Sequence, residues 1–489
     1  MGALVGRGTL HAMSDRRDLL HRTADLAGDY LNRLPDRRVW PAVDLDELRR
    51  ALGGELPIRG EEPERVIAEL ATTAEPGIVG SAGPRYFGFV VGGGVPAALA
   101  ADWLTSAWDQ NAGLYALSPA AAVAEEVASS WLIDLFGLPA ESSVGFVTGA
   151  TMANFTALAA ARHRVLERAG WNVEDDGEFG APPIAVVVGD ETHVTIFASL
   201  QMLGLGRARV HRVAADEQGR MRPDALRATL ARIEGPTIVC AQAGNVNTGA
   251  FDPLPEIVAA VRELPNAWLH VDGAFGLWAA AAPRLRDRIP GLAGADSWTT
   301  DAHKWLNVPY DSGIVVIHDA AAHHAAMTLG AAYYVETAGG ERDSYNWVPE
   351  SSRRARGFSV YAALRSLGRD GLAQMLERCC AMARRMADGL VGADGVTILN
   401  DVVLNQVLVR FSPPGGGDDA AVDAFTRSVI ATVQADGTCW LGGTTWHGMA
   451  AMRISVSNWS TTEADADLSV EAILRCARQI AAESAGARR

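Results

Sequence analysis

The stretch Thr299-Thr300-Asp301-Ala302-His303-Lys304-Trp305 sets one lysine beside a histidine, an aspartate and a tryptophan, just after a short apolar, β-prone run. A solvated lysine needs no such setting. A lysine that must react as a neutral amine does, because crowding and desolvation ease the loss of its proton near neutral pH. Upstream, Trp268-Leu269-His270-Val271-Asp272 reads as a buried strand ending in an aspartate, and the small Gly273 and Ala274 after it leave room for a ring.

Around these two segments the pattern alternates. Strands are expected at 144–147, 184–188, 209–213, 237–241 and 267–271, with helices at 151–169, 191–203, 223–233 and 255–264. Such alternation predicts an α/β architecture with a mostly parallel sheet. Ligands bind these sheets at the carboxyl ends of the strands. That rule puts Gly149, Asp190 to His193, Asn245 to Thr248, Asp272 and Lys304 on one rim. An acid and a lysine at the ends of neighbouring strands are what pyridoxal 5'-phosphate asks of a protein: the acid pairs with the ring nitrogen and the lysine holds the aldehyde.

Each feature taken alone has a plainer reading. The Thr148-Gly149-Ala150-Thr151 turn offers a close backbone approach and free amides to an anion, yet many strand-to-helix turns carry Gly and Thr. His193 follows Asp190-Glu191-Thr192 and suits a helix cap as well as a ring to stack on a cofactor. Asp272 alone suits a surface loop. Their order along one rim is far more specific than any of them singly.

These motifs resemble the pyridoxal-phosphate-dependent amino acid decarboxylases of fold type I, the group that includes aromatic amino acid and glutamate decarboxylases. The resemblance rests on Thr148-Gly149-Ala150-Thr151, Glu191-Thr192-His193, His270-Val271-Asp272-Gly273-Ala274 and Asp301-Ala302-His303-Lys304-Trp305-Leu306. It implies a seven-stranded, mostly parallel sheet in a large domain (85–343), a small α+β domain (344–489) and an N-terminal helical arm (1–84). It implies Lys304 as the residue bound to the cofactor aldehyde, Asp272 at the ring nitrogen and His193 stacked on the ring. Ala150, Thr151 and His303 then lie near the phosphate, and Asn247 matches a threonine position near the substrate carboxylate. Asp301 stands where several members carry asparagine. Tyr334, with Tyr333 as the alternative, matches the proton donor on a glycine-bearing loop after the lysine. Phe89, Val90 and Tyr115 are expected to line the side-chain pocket, which favours an apolar or aromatic L-amino acid. Arg453, on an expected strand of the small domain, could reach a carboxylate but is given no role in a decarboxylase.

Composition fits this frame. The chain has 489 residues, 48% hydrophobic and 21% charged, with a formal net charge of −15. That charge argues against nucleic acid or an anionic membrane as partner. No apolar run is long enough to span a bilayer. Five cysteines without metal-ligand spacing fit a reducing cytoplasm. No metal site is expected, since His323 and His324 are adjacent and point to different faces of a helix. The 15–34 helix has too little around it to pack alone, and with the resemblance this implies a homodimer. Another reaction on the same scaffold, a carbon–carbon lyase or an aminotransferase, and a non-catalytic partner protein remain open because fold does not fix reaction.

Overall fold

The computed structural model describes residues 16–328 and 341–486. Seven strands make the larger sheet: β1 (Ser143–Val147), β2 (Ala185–Gly189), β3 (His211–Val213), β4 (Thr237–Gln242), β5 (Ala267–Asp272), β6 (Ser297–Asp301) and β7 (Gly313–Ile317). Their spatial order is β1-β7-β6-β5-β4-β2-β3. Every neighbouring pair from β6 to β3 is parallel, and β7 runs antiparallel to both β6 and β1. β1 therefore points the same way as β2, β4, β5 and β6, and the carboxyl ends of all five open on one rim. The β5–β6 register sets Asp272 opposite Thr299, which brings Asp272 and Asp301 close along that rim.

Both faces of the sheet are covered, as apolar strands such as Gly313–Ile317, buried throughout, require. The helix Ala150–Glu167 lies on one face. Its alanines let it approach the strands closely, and most of its residues are buried. One close approach decides a residue choice. A Cβ on Gly313 would come within 2.5 Å of the Gly149 backbone, so only glycine lets β7 pass the turn that opens this helix.

A second, antiparallel sheet has the order β10-β11-β9-β8, built from β8 (Val396–Ile398), β9 (Gln406–Phe411), β10 (Gly442–Trp446) and β11 (Met449–Ser455). β9 begins at Gln406, and ahead of it Val402 takes a left-handed φ of 47°. The long helix runs Gly357–Leu390 and is broken at Gly368, with φ 60° and ψ −176°. The helix expected from 191 starts at Val194, since His193 caps it.

Ahead of the sheet, the helices Arg16–Arg33, Leu45–Leu52 and Pro63–Ala74 contain no buried residue. Among the described residues no helix is long and apolar enough to cross a membrane.

Candidate active site

Lys304 sits in the turn after β6, with its Nζ 3.0 Å from Asp301 Oδ2 and its side chain 18% exposed. The buried Asp301 reaches further: its Oδ1 accepts the Ala150 amide at 2.6 Å, at the start of the helix Ala150–Glu167. A helix N-terminus favours negative charge. Asp301 thus ties the lysine to that helix start. The Ala150 N–H expected to face a phosphate is engaged by a carboxylate, so an incoming phosphate must share this helix start or displace Asp301.

His303 lies beside them. Its Nδ1 accepts the Ser312 amide at 3.1 Å, its Nε2 is 3.6 Å from Asp301 Oδ2, and its ring stacks on Tyr310 with centroids 4.2 Å apart. Burial is the main influence on this imidazole and lowers its pKa. With Nδ1 accepting, the hydrogen-bond network assigns the proton to Nε2, facing Asp301.

Asp272 ends β5 and is buried. Ala274 N donates to its Oδ1 at 3.1 Å and Asn154 Nδ2 to its Oδ2 at 3.1 Å. His193 faces the same space. Burial is again the largest influence and lowers its pKa, and the charges acting on it are Asp272, Lys304, Arg453 and Asp301. Its Nδ1 is 2.9 Å from Thr195 Oγ1, which fixes the ring at the helix start. The acid, the lysine and the histidine singled out in the sequence are therefore neighbours.

Asn247 is buried between the two sheets. Its Oδ1 accepts from Thr444 Oγ1 at 3.0 Å and from Arg453 Nη1 at 3.4 Å. Arg453, on β11, pairs with no carboxylate among the described residues, and burial lowers its pKa.

The residues expected to line a side-chain pocket are dispersed. Val90 is packed in the main hydrophobic core. Phe89 is 60% exposed and lies against Trp440, with ring centroids 5.5 Å apart. Tyr115 is half-buried, its amide held by Asp343 Oδ1 at 2.8 Å. Phe89 and Val90 both take left-handed φ values, 53° and 58°, an uncommon conformation for a bulky or β-branched residue. Tyr333 and Tyr334 lie outside the described residues.

Sequence reading missed Asn154 and Thr444 as site residues and gave Arg453 no role. The one available signal was an asparagine inside an alanine-rich helical run, where an amide needs a buried partner.

A buried acid and a sequestered lysine on the carboxyl rim of a seven-stranded fold type I sheet define a site for a pyridoxal-phosphate enzyme. The model of the pyridoxal-dependent decarboxylase conserved domain matches residues 46–412, and the chain belongs to this family. It is 26% identical over 457 residues to an aromatic-L-amino-acid decarboxylase of Bacillus atrophaeus, covering 92% of this chain and 93% of that protein. It is 31% identical over 390 residues to an L-2,4-diaminobutyrate decarboxylase of Rhizobium meliloti (strain 1021), covering 78% and 76%. The crystal structure of Oryza sativa TDC with PLP and tryptamine has the same fold, with a TM-score of 0.89 at 24% identity over 96% of this chain and 99% of that one. The protein is a pyridoxal-phosphate-dependent carboxy-lyase acting on an amino acid.

Proposed function

We propose that the chain decarboxylates an L-amino acid with an apolar or aromatic side chain, as a homodimer in the cytoplasm. The observation that carries the reading is the buried Asp272, held by Asn154 and Ala274, on the same sheet rim as Lys304 and its partner Asp301. The donor set fits the cofactor. Each Asp272 oxygen accepts one protein hydrogen bond and keeps a lone pair for a ring N–H. When bound, pyridoxal phosphate supplies an electron sink for the pair left when the Cα–carboxylate bond breaks.

The chain's own residues do the rest. Lys304 supplies the amine that holds the aldehyde. Asp272 keeps the proton on the ring nitrogen, and His193 lies against the ring. Thr151 and His303 join Ala150 around the phosphate. Arg453 and Asn247 receive the substrate carboxylate. A half-buried guanidinium without an anion is costly, and the substrate's negative charge offsets that cost. The two donors on Asn247 Oδ1 leave its amide N–H groups free to donate. Return of a proton to the substrate carbon falls to Tyr334, with Tyr333 the alternative, on the sequence resemblance. Tyr334→Phe then slows amine formation; unchanged rate and product in both single Phe variants remove that role.

The dimer is supported by surface chemistry. Most of the exposed large apolar side chains fall between Leu20 and Val123. An apolar groove of about 710 Å³ runs along the arm, lined by Leu31, Leu34, Leu99, Trp103, Tyr310 and Trp459 among others. Patches of this kind mark association surfaces. The cytoplasmic assignment is supported by five free cysteines, four of them buried.

The substrate reading is tested by an amino acid panel with CO2 release and mass spectrometry of the products. Amines from tryptophan, tyrosine, phenylalanine or branched aliphatic residues support it. Turnover confined to 2,4-diaminobutyrate or glutamate overturns it.

A further inference from the structure

Behind Asp272 stands a buried chain of hydrogen bonds that the proposed reaction does not itself call for. Trp268 Nε1 donates to Ser297 Oγ at 2.9 Å, and Ser297 Oγ is 2.9 Å from His270 Nδ1. His270 Nε2 is 3.0 Å from Asn154 Oδ1, and Asn154 Nδ2 donates to Asp272 Oδ2 at 3.1 Å. Thr299 Oγ1 adds a second donor to Asn154 Oδ1 at 2.7 Å. Asn154, His270, Ser297 and Thr299 are all fully buried.

The direction of this chain is fixed from both ends. An indole N–H can only donate, and an ionised carboxylate can only accept. Asn154 must therefore turn its amide nitrogen to Asp272 and its oxygen to His270. His270 must carry its proton on Nε2 and accept at Nδ1, so the Ser297 hydroxyl proton points at the ring. Burial pushes the His270 pKa down to about 4, which keeps the ring neutral near pH 7. Every proton along the path then points toward Asp272.

We infer that His270 is a positioning residue that acts through Asn154 to keep Asp272 charged and oriented, and so decides where the proton shared with the ring nitrogen resides. The inference rests on the assignment of Asp272 as partner of that nitrogen. Donors to a carboxylate favour its charged form. With a donor lost, the shared proton moves toward the carboxylate and the ring loses its charge.

The test is the ring-nitrogen chemical shift of 15N-labelled pyridoxal phosphate bound to the full chain, read in wild type, His270→Phe and Thr299→Val. Wild type is expected to show a protonated ring nitrogen. In His270→Phe the signal should move toward the neutral pyridine position, with kcat down roughly tenfold and KM little changed, the scale on which residues behind a first ligand commonly act. Thr299→Val keeps the shape while removing one donor, and in folded protein should move the signal the same way by less. His270→Gln, which restores an N–H donor, should recover part of the shift. A wild-type ring signal with Thr299→Val and with folded His270→Phe overturns the positioning role and leaves Asp272 untouched. A wild-type chain that binds cofactor with a neutral ring nitrogen, or binds none, overturns the Asp272 assignment and this inference with it.

Discussion

The rim around Lys304 and the N-terminal arm close on their own chain to very different degrees. At the rim the polar groups find partners within the chain: Asp272 with Asn154 and Ala274, Asp301 with Ala150 and Lys304, His303 with Ser312. In the arm, Leu20, Leu45, Leu52, Leu56 and Ile58 face solvent, and its three helices bury no residue. The rim is pre-organised, so its geometry holds before any ligand arrives. The described part of the arm leaves apolar side chains exposed, which is the surface the proposed dimer would cover.

If that contrast is right, damage at the rim removes chemistry and damage at the arm removes assembly. Lys304→Ala should lower kcat by on the order of 10^4-fold, since it deletes the group that holds the cofactor aldehyde, and should leave the oligomeric state unchanged. Steady-state kinetics with sedimentation velocity check both halves. Trp103→Glu, in the apolar groove, should instead weaken the dimer roughly thirtyfold, about 2 kcal/mol, the scale of a buried tryptophan at an interface. Sedimentation across a dilution series reads this; a dimer as tight as wild type would place the interface elsewhere.

Acid should sharpen the same contrast. Burial lowers the pKa of His270 to about 4 and that of His323 to about 3. The folded state therefore favours the neutral rings. The stabilisation is complete above the unfolded value near 6.5 and fades as pH falls toward the folded values. Between pH 7 and pH 5 each histidine should cost the fold about 2 kcal/mol. Urea denaturation at the two pH values reads the difference, and His323→Asn should reduce it by about 2 kcal/mol. Among its described residues the arm has no buried histidine to add to it.

The smallest effect concerns Asp301. Its carboxylate holds the Ala150 amide that a phosphate would use. Asp301→Asn removes a like charge from that place and should tighten binding of pyridoxine 5'-phosphate, which lacks the aldehyde, about fivefold, or roughly 1 kcal/mol. Equilibrium dialysis is the measurement. Weaker binding would mean that the carboxylate serves the phosphate rather than competing with it.

How much of this was readable in advance follows the same division. Strand ends at the rim were legible because apolar runs stop at Asp272 and restart around Lys304, and because helical and strand periods alternate between them. The resemblance then singled out Lys304, Asp272 and His193, and both charged groups act on the histidine. What stayed hidden depends on contacts distant in sequence. Asn154 reaches Asp272 across 118 positions, and Asp301 meets Ala150 across 151. No local pattern records either. Arg453 was noticed as able to reach a carboxylate, but only the fold shows that it faces Asn247. β10, Gly442-Gly443-Thr444-Thr445-Trp446, escaped notice because two glycines and two threonines carry no clear alternation. The break at Gly368 was equally invisible, since an isolated glycine is tolerated within many helices.

The central claim, that Lys304 carries the cofactor, has a direct measurement. The holoenzyme is reduced with borohydride, digested and sequenced by mass spectrometry. A phosphopyridoxyl mass on the peptide containing Lys304, and on no other lysine, is the expected result. Cofactor mass on a different residue, or an unmodified Lys304 in protein that has taken up pyridoxal phosphate, contradicts it.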